Sequence, residues 1–200
     1  MKGSPMSNFG RYLIPVAAVA LGVVVGLPQA SAAPRVGDFT ADLAPLNQDG
    51  TGTVSLTQRG TTLTVDLQAA GLDDGIHVAH IHGVEKVENV CPTASADTDG
   101  DGLVNIAEGL PFYGPVQRTL SQGTSDQGTS IGYVRVFAHR DNGDAVASLG
   151  SLDRYVVVVH GVDLDGDGVA NNPDVEGDGP DADDNEISMP ALCGVVEMGG

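Results

Sequence analysis

The stretch Gly75-Ile76-His77-Val78-Ala79-His80-Ile81-His82-Gly83 constrains this chain more than any other. Three of the five histidines fall within it, on an apolar run between glycines. Its alternation predicts a β-strand. Side chains two apart on a strand share a face, so His80 and His82 point the same way and can grip one ion through two imidazole nitrogens. His77 has the opposite parity and faces away unless a bulge intervenes. A metal site then needs a third ligand from elsewhere. The candidate is His160, which closes the run Tyr155-Val156-Val157-Val158-Val159-His160. Ordinary core or surface histidines are the alternative. A His-x-His pair on an apolar strand, with a third histidine ending another strand, favours the metal.

Residues 1–32 read as a secretory signal peptide. Lys2 and Arg11 give a positive start, Tyr12 to Leu27 is an apolar run, and Ala30-Ser31-Ala32 is a small-x-small cleavage site. The run is short for a membrane span and holds Pro15, so no retained span is expected. No cysteine stands at the cleavage point for a lipid anchor. The expectation is a secreted, extracellular protein whose residues 33–200 form one domain. Without the signal, 7 Lys and Arg stand against 27 Asp and Glu, a net charge of about −20. That excludes a nucleic-acid partner, which needs a basic patch, and argues against an anionic membrane surface. No Lys or Arg follows Arg154. The two cysteines, Cys91 and Cys193, are most simply a disulfide in an exported chain. Free thiols or a cysteine-bound metal are the alternatives, and neither cysteine has a CxxC partner.

Short alternating runs recur along the domain. Gly37 to Ala44 predicts a strand with Phe39, Ala41 and Leu43 on one face. Thr53–Thr57 and Thr62–Leu67 predict a hairpin around Arg59-Gly60-Thr61. Further strands are expected at Gln117–Leu120, Ile131–Phe137 and Ala191–Val196. A central strand is expected at Val156–Val159, which is apolar on both faces. A long connection runs from Gly83 to Pro115, and Ser121 to Ser130 is a Gly, Ser, Thr and Gln loop. About eight strands with Gly-rich turns and little helix predict an all-β fold, an antiparallel β-sandwich or flattened barrel.

Two acidic segments carry a second kind of chemistry. Residues 97–108, Asp-Thr-Asp-Gly-Asp-Gly-Leu-Val-Asn-Ile-Ala-Glu, fit the twelve-residue calcium loop. Oxygen ligands would come from Asp97, Asp99, Asp101, the Leu103 carbonyl, Asn105 through water, and bidentate Glu108, with Gly102 at the sharp turn. Cys91-Pro92-Thr93 before it does not read as a helix, so a full helix pair is not expected. Residues 163–174 begin in the same way, with Asp163, Asp165 and Asp167, but end in Asp174 after Pro173. Calcium there is a weaker match, with a plain acidic loop as the alternative. Asp178, Asp181, Asp183 and Asp184 add charge without a clear spacing.

Together these residues resemble the copper/zinc superoxide dismutase family. That family's histidine, two residues, then His-x-His pattern is matched by His77, His80 and His82. A cysteine after the histidine strand is matched by Cys91, a Val-Val-His strand end by Val158-Val159-His160, and a C-terminal Ala-Cys-Gly-Val motif by Ala191-Leu192-Cys193-Gly194-Val195. The resemblance spans most of residues 33–200. It implies a Greek-key β-sandwich, copper on His80, His82 and His160, a Cys91–Cys193 disulfide, and a structural role for His77 beneath the copper. The chain also departs from the family. No histidine lies between His82 and His139, where the family holds its bridging and zinc-binding residues, so zinc is not expected. The 97–108 loop occupies that region. Pro190 stands where the family places an arginine that draws in the anion. His139 matches no ligand position and reads as a loop residue.

Two functions follow as expectations. The first is a secreted, copper-dependent superoxide dismutase with calcium-ordered loops and His80, His82 and His160 as its catalytic residues. Superoxide would be its small-molecule substrate. The second is a non-catalytic, calcium-stabilised copper-binding or interaction module on the same fold. A hydrolase is disfavoured, because no nucleophile elbow is present and the chain has no Trp and few aromatics.

Overall fold

The computed structural model describes residues 36–84, 87–121, 126–138, 149–175 and 185–199. The segment read as a signal peptide, His139, and Asp178, Asp181, Asp183 and Asp184 lie outside the described residues. The strands are β1 (Val36–Pro45), β2 (Thr51–Arg59), β3 (Thr62–Ala70), β4 (Val78–His82), β5 (Val116–Thr119), β6 (Ser130–Ala138), β7 (Val156–His160), β8 (Pro190–Val195) and β9 (Glu197–Met198). One α-helix, α1 (Ile106–Tyr113), and short 3₁₀ turns at Ala94–Ala96 and Leu152–Arg154 complete the described elements.

All strand pairings are antiparallel, in the order β5-β4-β7-β8-β1-β2-β3-β6, with β9 on β1. The sheet curls into an all-β flattened barrel, as the alternation predicted. Between the halves β5-β4-β7-β8 and β1-β2-β3-β6 the chain crosses from β3 to β4, β5 to β6, β6 to β7 and β8 to β9, which is Greek-key wiring. Gly60 and Thr61 close the β2–β3 hairpin, and Gly60 takes the left-handed φ of 63° that such a two-residue turn demands.

Period-two burial builds the core. Phe39, Ala41 and Leu43 of β1, Val54 and Leu56 of β2, and Leu63, Val65 and Leu67 of β3 all point inward. β7 is buried at every position. Its Val157 and Val159 face this core, whereas Val156 and Val158 join Tyr113, Cys193 and Cys91 in a second apolar cluster outside it. The two covered faces explain a strand that is apolar throughout. Cys91 and Cys193 form the disulfide, with Cα atoms 5.7 Å apart. It ties the long β4–β5 connection to β8 across a sequence separation of 102 residues. No described helix is long and apolar enough to cross a membrane.

Candidate metal centre

The register of β4 against β7 sets the histidines. Ala79 pairs with Val159 and Ile81 with Val157, all on the core side. His80 pairs with Val158 and His82 with Val156, on the outer side, and His160 pairs with Val78. Parity therefore puts His80, His82 and His160 on one face. Register shifts occur at both edges, between Ile81 and His82 against β5 and between Val159 and His160 against β8. Such irregularities re-aim a side chain beside a site.

One ligand atom from each of His80, His82 and His160 lies within 4.8 Å of the others. His82 and His160 are 4% and 5% exposed. His80 is half-buried. The hydrogen bonds fix which nitrogens face inward. His82 Nδ1 donates to the Gly114 carbonyl at 2.8 Å. His160 Nδ1 donates to the Ser188 carbonyl at 2.6 Å. A carbonyl only accepts, so each Nδ1 carries the hydrogen and each Nε2 keeps its lone pair. Those two Nε2 atoms face one another at 3.4 Å. Two acceptors at that distance repel unless something positive sits between or beside them. His80 Nδ1 is also buried and makes no hydrogen bond. One ring nitrogen from each of the three histidines thus lies within reach of a common point, and the group could hold a metal ion.

Electrostatics agree with this arrangement. Burial, reinforced by the charge of a protonated His82, pushes His80 down to about 4. Burial also lowers His82, against the opposing effect of its bond to Gly114. His160 lies well below the ordinary imidazole value, through burial first and the neighbouring His80 and His82 next. The rings are held neutral, the form in which a metal binds them.

His77 does not join this group. Its ring lies between the carbonyls of His160 (3.1 Å from Nδ1) and Asp73 (2.9 Å from Nε2), and it is 1% exposed. Gly161 follows His160 with φ 118°, and a Cβ there would sit 2.5 Å from His77 Nδ1. The close approach of His77 to the ligand strand therefore depends on that glycine.

Tyr113 was not legible as a site residue. It is fully buried, its ring edge-on to His82 at 4.8 Å between centroids. Burial raises its hydroxyl well above the ordinary value. A Cβ on Gly109 would come within 2.3 Å of that ring, so Gly109 makes room for it. The sequence signal for α1 was its capping box, Asn105 with Glu108 at the third helical position.

The two acidic segments fold alike. In each, the first Asp accepts the N–H groups of residues four and six: Asp97 from Gly100 and Gly102, Asp163 from Gly166 and Gly168. The third and fifth residues then accept from those two further on. Carboxylate oxygens of Asp97, Asp99 and Glu108 converge within 4.8 Å, as do those of Asp163, Asp165 and Asp167. Asp101 is not in the first group, and the Asn105 side chain is engaged as the helix cap. Glu108 Oε1 accepts from the Thr98 and Asp99 N–H groups and Oε2 from Asn105. The Thr98 N–H and hydroxyl hold its carboxyl below the ordinary range.

The carboxylates that gather in the second loop do not include Asp174. Glu186 occupies the closing place from outside the contiguous segment. Its Oε1 accepts from Leu164 and Asp165, its Oε2 from Asn171 and Asn172, and it is 0% exposed. These are the counterparts of the Glu108 contacts. Spacing could not reveal Glu186, because it lies beyond the twelve-residue window.

No family model matches this chain, and no curated protein matches it.

Proposed function

We propose that this domain is a copper-binding protein that dismutates superoxide, with His80, His82 Nε2 and His160 Nε2 as the ligands. The observation that carries the reading is the pair of Nε2 lone pairs facing at 3.4 Å, each forced inward by a carbonyl on the opposite nitrogen. Imidazole suits copper, zinc, iron and nickel alike. The choice of copper rests on the resemblance of the histidine and cysteine pattern to the copper/zinc superoxide dismutases. Bound copper would supply a one-electron couple able to oxidise one superoxide and reduce the next.

The chain's own residues would do the rest. His82 and His160 present neutral nitrogens without prior loss of a proton. Gly114 and Ser188 keep the rings from turning. The acidic loops are read as calcium sites, on Asp97, Asp99 and Glu108 in the first and Asp163, Asp165 and Asp167 in the second. Calcium there would offset part of the domain's net charge of about −20, which otherwise repels an anionic substrate. The disulfide and the leader-like first 32 residues support an extracellular setting.

The second reading, a copper-binding module without turnover, draws on a specific observation. Pro190 stands in register with His160 where the resemblance calls for an arginine. Arg118 stands opposite Ile81, shares its core-facing side and is 0% exposed, over the Phe137 ring at 4.7 Å. The superoxide-removal rate of the copper-loaded domain separates the two readings. A rate far above that of a His80→Ala/His82→Ala variant supports dismutation. Equal rates with copper retained by the unsubstituted domain leave the binding module.

A further inference from the structure

Two of the three metal-facing histidines each trace back to one glutamate. His82 Nδ1 is held by the Gly114 carbonyl at the end of α1. α1 begins at Asn105, where Glu108 and Asn105 bond reciprocally, and the Glu108 carboxylate reaches on to Thr98 and Asp99. The rod between them has only eight residues, and Tyr113 at its end lies against the His82 ring. His160 Nδ1 is held by the Ser188 carbonyl. Ser188 sits in the turn 185–189, two residues after Glu186. That turn is pinned on both sides. The Glu186 carboxylate gathers four backbone N–H groups of the 163–174 loop, and its own carbonyl accepts from Val162. Met189 accepts from Gly161, beside His160 itself.

We infer that Glu108 and Glu186 are positioning residues for the histidine centre, each fixing the backbone carbonyl that orients one metal-facing ring. The inference rests on the copper reading above but needs no cation in either loop, because both links run through protein atoms. Outer-sphere groups that orient a ligating histidine typically change metal affinity by about 10–100-fold when removed. A glutamine at either position keeps the shape but turns an N–H₂ toward backbone donors. That opens the anchor and frees the carbonyl to drift.

The test is copper affinity by competition with a coloured chelator, together with the electron paramagnetic resonance spectrum of the Cu(II)-loaded protein. It compares the unsubstituted domain with Glu108→Gln, Glu186→Gln, the milder Thr98→Val and the core variant Val54→Ala. Val54 lies on β2, which pairs with neither histidine strand. Glu108→Gln and Glu186→Gln should each weaken copper binding about tenfold or more and alter the spectrum. Thr98→Val, which removes only the hydroxyl at 2.7 Å from Glu108, should shift affinity in the same direction by less. Val54→Ala should lower the melting temperature and leave affinity and spectrum unchanged. Unaltered affinity and spectrum in both glutamine variants would overturn the inference while leaving the copper site standing. An unsubstituted domain that takes up no copper would sink the inference and the copper reading together.

Discussion

The 97–108 and 163–174 loops share one backbone plan and differ in where the closing carboxylate comes from. In the first, Glu108 lies within the loop and also begins α1. In the second, Glu186 returns from beyond a further stretch of chain to take the same amide partners. Spacing rules identify a loop by contiguous residues, but the physics asks only for an acceptor at the right place. Glu186 meets that need from outside the twelve-residue window. The first loop is also tethered by the Cys91–Cys193 disulfide. The second is held directly by the strands it joins, β7 and β8. One connection must be fastened to the barrel, whereas the other is part of it.

The largest way to break this comparison is to remove the tether. Cys91→Ser/Cys193→Ser should cost about 2–5 kcal/mol of stability by freeing a loop of roughly a hundred residues in the unfolded chain. Hydrogen exchange should rise around α1 and the first loop and stay low in the second.

Acid is the next perturbation, and it strikes the centre that both loops support. The metal-free folded domain holds His80 at about 4, with His82 and His160 also lowered. Between pH 6.5 and 4 the unfolded chain therefore binds more protons than the folded one. Stability is present above pH 6.5 and is lost as pH falls through that window. The His80 contribution is on the order of 2 kcal/mol, after a discount for its partial exposure. Chemical denaturation at pH 7 and pH 5 measures it. Glu108 is also lowered, by the Thr98 N–H and hydroxyl, but its unfolded value of 4.5 lies below both pH values compared, so the first loop should add little to the difference.

Closure itself is tested by Glu186→Gln beside Asp174→Asn. If the second loop takes calcium, calorimetry should give about a tenfold weaker affinity for Glu186→Gln, since charge count tunes such sites. Asp174→Asn should stay within about twofold. The reverse ranking would restore the contiguous reading. The smallest effect concerns what the loops share. Gly102 and Gly168 both have φ 94°, with open space where a Cβ would go. Gly102→Ala and Gly168→Ala should each cost about 1 kcal/mol, and nearly equally. Unequal costs would mean that the common backbone plan is not carried equally by the two loops.

Much of this was legible in the sequence because it depends on short-range periodicity. Alternation at Phe39, Ala41 and Leu43 gave the inward face of β1, and the two-sided Val156–Val159 run gave a central strand. Parity alone separated His77 from His80 and His82. What was hidden depends on long-range placement. Tyr113 reaches His82 only because an eight-residue helix with a proline at position 111 folds back over β7. Gln48 bonds both the Asp73 N–H and the Gly161 carbonyl, linking the segments that flank His77 and His160, and no spacing announces it. The carbonyls of Gly114 and Ser188 are backbone groups, invisible to any reading of residue types.

The most direct test of the copper centre is metal content after copper loading and exhaustive dialysis, measured on the domain spanning residues 33–200 and on its His160→Ala variant. One tightly held copper per chain, lost in the variant, with nitrogen hyperfine structure from imidazole in the unsubstituted domain, is the predicted result. Equal copper in both proteins, or none in either, would contradict it.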